Sequence, residues 1–330
     1  MDPHAPAPVR LGSGPHTYEL APGWGTLPAG WDLADVAGVA VDRADRVFVF
    51  NRGDHPMVIF DSDGNVEGSW GEEFFRHAHG IFLAADQSLY CTDDGNHTMT
   101  RHAPDGELLM RIGRPGEPAP FHGGLPFNRC THTALSPEGD IYVSDGYGNA
   151  QVHKFSPDGR LLLSWGRSGM AAGEFNLPHN IVCDEDGWVY VADRENHRIQ
   201  VFDGTGRFET SWADVVHRPC ALYRTPGPDP VFLVGELGPS MDFNRGAPGL
   251  GPRISVLSAT GDLITRLETT PAMGTGPGQF IAPHGLATDS RGDIYVAEVS
   301  VTGWPQVLGR QPMPRPVRSL QKLVRVTGRS

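Results

Sequence analysis

Apolar residues in this chain alternate with polar ones over runs of four to six positions, and tight Gly/Asp turns part the runs. That period of two is the signature of half-buried β-strands. The runs fall into six similar copies spaced roughly 40–55 residues apart, the range of propeller blades and solenoids. The copies open at residues 37–42, 79–83, 131–136, 179–184, 220–223 and 284–289. A polar turn follows, as at 138–140, 185–187 and 290–292, and then a second β-rich run, as at 47–50, 141–144, 189–192 and 294–297. Third runs lie at 57–60 and 199–202, and fourth runs end in Trp70-Gly71 and Trp165-Gly166.

No stretch carries ten residues of helical periodicity, so the pattern predicts an all-β, six-bladed β-propeller. The sixth copy has a candidate third strand at 322–326 and no fourth strand after it. Thr17-Tyr18-Glu19-Leu20 followed by Gly23-Trp24-Gly25 echoes the outer-strand signature, so residues near 17–25 are expected to complete the last blade. Ring closure removes two exposed sheet edges. The expected organisation is a flexible N-terminal tail over residues 1–15 and a single propeller domain over 16–330. Long insertions at 238–252 and 302–316, each between a second and a third strand, are expected to be loops that form a lid on the top face.

The net charge of −12 argues against nucleic-acid and anionic-membrane partners. Residues 1–6 lack the basic start and apolar run of a secretory signal, so a cytoplasmic location is expected. Cys91, Cys130, Cys183 and Cys220 form no C-x-x-C pair and are expected to be reduced thiols.

Candidate chemistry emerges from the repeat register. His79, His179 and His284 stand at one repeat-equivalent position, separated by 100 and 105 residues, in copies two, four and six. Equivalent positions in alternate blades of a six-fold ring are related by about 120°, so the three side chains should converge on the axis. Three imidazoles with one coordination position left open are how a protein holds a catalytic zinc, with copper or iron as alternatives. The matching residues in copies one, three and five are Ala37, Thr131 and Cys220, and Cys220 is expected to line the channel. His132 is one residue out of register and should point elsewhere; His97 and His197 read as surface residues. Second-strand ends should reach the same rim, bringing Arg52, Tyr147, Arg194 and the carboxylates Asp93, Asp94, Asp145, Asp193, Glu236 and Glu298.

Residues 191–202 resemble an NHL repeat, and residues 36–300 resemble the peptidyl-α-hydroxyglycine α-amidating lyases, the peptidylamidoglycolate lyases. The resemblance implies one zinc held by His79, His179 and His284. It assigns the family's catalytic arginine to Arg52, within Phe50-Asn51-Arg52-Gly53-Asp54-His55, and its catalytic tyrosine to Tyr147, within Ser144-Asp145-Gly146-Tyr147. The implied reaction cleaves an N-acyl hemiaminal to an amide and glyoxylate or a related aldehyde, with Tyr147 as base and Arg52 orienting a small-molecule or short-peptide substrate. The chain departs from the family at Ala282, where the family has methionine, and at Gly148, where it has a disulfide cysteine. Gly285 replaces an aspartate that helps bind a structural calcium, so that calcium is not expected. Two other readings fit the same sequence: a metal-dependent lactone or ester hydrolase, and a non-catalytic NHL scaffold with an apolar patch seeded around Trp304.

Overall fold

The computed structural model describes residues 8–327. Six antiparallel sheets stand around a central axis, five of four strands and one of five, so the expected six-bladed propeller is present. The innermost strands are Val36–Val41, Ala78–Leu83, Cys130–Leu135, Pro178–Cys183, Pro219–Arg224 and Pro283–Thr288, numbered here as blades 1 to 6. The second strands, Val47–Asn51, Leu89–Asp93, Ile141–Asp145, Val189–Asp193, Phe232–Glu236 and Ile294–Glu298, are buried along their whole length.

The core lies between blades. Phe48, Phe50 and Met57 of blade 1 pack on Ile81, Leu89 and Cys91 of blade 2, and a comparable apolar cluster fills each of the other five blade junctions. A blade alone has nothing to bury its faces against, so the ring stands or falls as a unit.

Blade 6 draws on both ends of the chain. His16–Leu20 pairs with Leu320–Arg325, which pairs with Ile294–Glu298, and this is the closure expected near residues 17–25. Arg10–Ser13, expected within the tail, adds a fifth strand through four paired positions with His16–Leu20. Residues 1–7 of that expected tail lie outside the described residues.

The last residue of each second strand except blade 1's is a buried carboxylate, and each accepts a backbone N–H from the segment that enters its blade. Asp93 accepts from the N–H groups of Arg76 and His77 at 2.7 and 3.0 Å, Asp193 from Asn176 at 2.7 Å, Glu236 from His217 at 2.7 Å and Glu298 from Ile281 at 2.6 Å. Asp145 receives the N–H of Asn128 at 3.0 Å. Expected as open rim carboxylates, they instead fix the loop that enters each blade.

The insertion after blade 6's second strand is a loop only in its second half, residues 309–316. Ser300–Leu308 forms a helix, α1, despite Gly303 and Pro305. Asp35 accepts from the first-turn N–H groups of Val301 and Thr302 at 2.7 and 3.2 Å, placing a carboxylate at the positive end of the helix dipole. Arg245, from the 238–252 insertion, donates to the carbonyls of Gln306 and Pro305 at 3.0 and 3.1 Å near the other end. Trp304 is buried with Ile281, Ala282 and Val307, so it cannot seed an exposed patch. Among the described residues no helix is long and apolar enough to cross a membrane.

Candidate metal centre

Every innermost strand carries a register irregularity at the same place, against its second strand. The extra residue is Ala37, His79, Thr131, Cys220, His179 or His284, according to blade. A β-bulge leaves one residue unpaired and re-aims it. The three histidines reach the axis because they occupy these bulges. Their ring nitrogens come within 4.8 Å of one another, and all three side chains are buried.

The bulges of the intervening blades supply the other half of the arrangement. His79 Nδ1 sits 2.7 Å from the carbonyl of Thr131, His179 Nδ1 2.8 Å from that of Cys220, and His284 Nδ1 2.6 Å from that of Ala37. Each imidazole thus donates from Nδ1 to the bulge carbonyl of the next blade, which leaves Nε2 as the free lone pair. An outer carbonyl that fixes tautomer and ring orientation is the usual support of a metal-ligating histidine. Cys220 contributes this carbonyl rather than its sulfur. Burial pushes its thiol up to about 11, so it stays protonated, 3.5 Å from His179 Nδ1.

Burial also holds the three imidazoles below their ordinary value. For His79 the neighbouring His284 and His179 add to the effect, for His179 the Arg194 guanidinium, and for His284, lowered to about 3, Arg52. A neutral triad with free Nε2 lone pairs is the donor set a zinc ion requires, so the residues present fit that metal.

Tyr147 stands over the triad, its Oη 3.1 Å from His79 Nε2 and 3.0 Å from His179 Nε2. Burial raises its phenol pKa; Arg194 and, more weakly, Arg52 oppose that rise. Arg52 donates from Nε to the carbonyl of Ala78 at 2.9 Å, directly before His79. Among the described residues its only ion pair is a loose 3.7 Å approach of Nη1 to Asp35 Oδ2, so its terminal nitrogens keep donors to offer. The residues expected from sequence, His79, His179, His284, Tyr147 and Arg52, therefore share one end of the channel.

Two further groups complete the site. The Arg129 guanidinium stacks 4.6 Å over the Tyr147 ring and is held by Asp94 at 2.7 Å. Arg194 Nη1 lies 3.5 Å from Tyr147 Oη, and Glu195 at 2.8 Å holds its Nε. Arg129 was not anticipated. Its signal was positional: it lies two residues before a bulge, where blades 1, 2 and 5 place Asp35, His77 and Arg218, although blades 4 and 6 place Leu177 and Ala282 there. His197 is exposed, as expected, and His97 half-buried; their Nδ1 atoms accept the backbone N–H groups of Arg129 and Arg218 at 3.1 and 3.2 Å.

Comparison with known proteins agrees with this architecture. The NHL repeat pattern matches residues 175–202. The human NHL repeat-containing protein 3 is 31% identical over 86% of this chain and 81% of its own length. Peptidyl-alpha-hydroxyglycine alpha-amidating lyase 1 of Drosophila melanogaster is 28% identical over 81% of this chain and 56% of its own length. Among solved structures, a streptogramin B lyase superposes with a TM-score of 0.60 at 12% identity, over 90% of this chain and 95% of its own, a likeness of fold alone. By its repeats, its closed ring and its relatives, the chain belongs to the NHL-repeat family of β-propellers.

Proposed function

We propose that this chain is a zinc-dependent lyase that cleaves the C–N bond of an N-acyl hemiaminal, of the α-hydroxyglycine type, to an amide and glyoxylate or a related aldehyde. The observation that carries the reading is Tyr147 Oη, poised at 3.1 and 3.0 Å from two nitrogens of a neutral histidine triad. Relatives named as amidating lyases support it. His79, His179 and His284 would hold the metal, which supplies Lewis-acid polarisation of the substrate hydroxyl when bound.

The chain's own residues perform the rest. Tyr147 takes the hydroxyl proton as the C–O bond gains double-bond character and the C–N bond breaks. The nitrogen leaves with the bonding pair and gains a proton, so the hydroxyl proton lost balances the amide proton gained and no co-reactant is consumed. A buried phenol is a weak base by itself. Arg194, 3.5 Å from Oη, and, more weakly, Arg52 favour its anion. The free donors of Arg52 suit a substrate carboxylate, which a planar guanidinium clamps in two-point fashion.

The test is elemental analysis of untagged protein purified without chelator, followed by assay of glyoxylate release from N-acyl-α-hydroxyglycines. About one zinc per chain with stoichiometric glyoxylate and amide supports the lyase. Zinc with lactone or ester hydrolysis and no glyoxylate would replace it with the hydrolase. No metal even after zinc is offered would leave a scaffold.

A further inference from the structure

Each imidazole of the triad is turned by a carbonyl on the following blade, and a carbonyl goes where its chain is held. The three carbonyls belong to Thr131, Cys220 and Ala37. Two residues before each stands a charged side chain, Arg129, Arg218 and Asp35 in turn. All three are tied across the seam to the segment that leaves the preceding blade's second strand. Arg129 donates from Nε and Nη2 to Asp94 Oδ2 at 3.1 and 2.7 Å. Arg218 donates from Nη2 and Nε to the two oxygens of Glu195 at 2.9 and 3.2 Å. Asp35 accepts the N–H groups at the start of α1, where the helix dipole takes the part of the cation.

The ties follow the imidazoles. Asp94, Glu195 and α1 leave blades 2, 4 and 6, which carry His79, His179 and His284. Arg129, Arg218 and Asp35 enter blades 3, 5 and 1, which supply the carbonyls. At the same place the other three blades carry His77, Leu177 and Ala282. Leucine and alanine can make no such tie, and the His77 ring pairs with Asp94 of its own blade. Two of the ties are doubled on the main chain, where the N–H groups of Arg129 and Arg218 donate to His97 and His197 of the preceding blade. Asp94, Arg218 and Asp35 are buried, where hydrogen bonds to a full charge are stronger than in water.

From this pattern we infer that Asp94–Arg129, Glu195–Arg218 and α1–Asp35 are the positioning pairs of the triad. Each sets the carbonyl that fixes the tautomer and ring plane of one histidine. They act through backbone, so they are positioning groups and not catalytic ones. Arg129 has this task besides its contact with the Tyr147 ring, and Glu195 besides its hold on Arg194; Arg218 has it alone. The inference rests on the metal reading above for what the triad holds, and not for how the rings are held.

The experiment is NMR of the full chain with isotope-labelled histidine and no added metal, following the Nδ1–H protons that the three carbonyls shield from exchange with water. Arg218→Met should speed exchange at His179 about tenfold, the worth of one charge-assisted hydrogen bond, and leave His79 and His284 as in the wild type. Arg129→Met should do the same at His79 alone, and Asp35→Ala at His284 alone. Arg218→Lys and Arg129→Lys keep the charge and lose the two-nitrogen contact; they should give a smaller effect at the same rings, and they serve where a methionine variant does not fold. Zinc affinity, read by a chelating dye, should drop about tenfold in each methionine variant. Unchanged exchange at His179 in Arg218→Met and at His79 in Arg129→Met overturns the inference. Equal acceleration at all three rings, the mark of general loosening, overturns it too. Ring-by-ring acceleration in a chain that takes up no zinc upholds the pairs and sinks the metal reading instead.

Discussion

Even and odd blades share a backbone and differ in what their bulges present. Blades 2, 4 and 6 put an imidazole into the bulge; blades 1, 3 and 5 put alanine, threonine and cysteine there and offer a carbonyl. The two sets interlock, each imidazole held by the carbonyl of the following blade. Half of the centre is therefore written in side chains and half in backbone. Substitution reaches the first half directly and the second only at a distance.

The sharpest way to break this contrast is at an even blade. His284→Ala or His179→Ala should lower zinc affinity by more than about a hundredfold, beyond the range seen when only a supporting partner is lost, as read by competition with a chelating dye. Glyoxylate release should fall below detection in both. Next comes Tyr147→Phe, which keeps every ligand and carbonyl and removes only the group over the triad. Zinc content should stay at the wild-type level while kcat drops by about 10² to 10⁴, the span of a lost general base. Retained activity in this variant would assign the proton transfer elsewhere. Arg52→Lys keeps the charge and loses the planar fork, and it should raise KM by about tenfold or more for carboxylate-bearing substrates. It should leave KM unchanged for an uncharged analogue.

A gentler effect concerns acid. The triad imidazoles titrate below their ordinary 6.5 in the folded ring, His284 at about 3, and His132 is lowered by burial to about 4. As pH falls the unfolded chain takes up protons first, so stability is intact above about pH 6.5 and drains toward pH 3. The urea midpoint of chelator-treated protein should decline steadily from pH 6.5 to 4, and less steeply in His179→Ala. Smallest of all is the odd-blade counterpart. Cys220→Ser keeps the carbonyl that holds His179 and should change zinc affinity by less than about threefold; a large loss would show that the sulfur, rather than the backbone, matters.

Much of this was legible in the sequence because repetition converts spacing into geometry. Once six copies were aligned, His79, His179 and His284 had to share a position, and second-strand ends had to bring Arg52 and Tyr147 to the same side. What stayed hidden depends on contacts between copies or on backbone alone. Nothing in Ala37, Thr131 or Cys220 announces a carbonyl acceptor, because the carbonyl is common to all residues. Arg129 gains its place over Tyr147 through Asp94, 35 residues earlier. The helix α1 was obscured by Gly303 and Pro305, poor helix formers by propensity. Its ends are secured by Asp35 and Arg245, far away in sequence, and Gly303 is needed because a Cβ there would sit 2.8 Å from the Ala282 Cβ. Arg10–Ser13 escaped notice because the fifth strand repeats no blade signature.

The blade built from both chain ends is also the blade that carries His284. The hairpin of Arg10–Ser13 and His16–Leu20 must wait for Leu320–Arg325 before it can join blade 6, so during synthesis the blade that carries His284 is complete only after residue 325 has emerged. If the triad takes up a metal as proposed, metal capture and ring closure would be two readings of one equilibrium. An ion that prefers three nitrogens over two would tighten the seam between the first and last strands, and a loosened seam would release the ion. Zinc occupancy would thus report, from the axis of the molecule, whether its outer edge is shut.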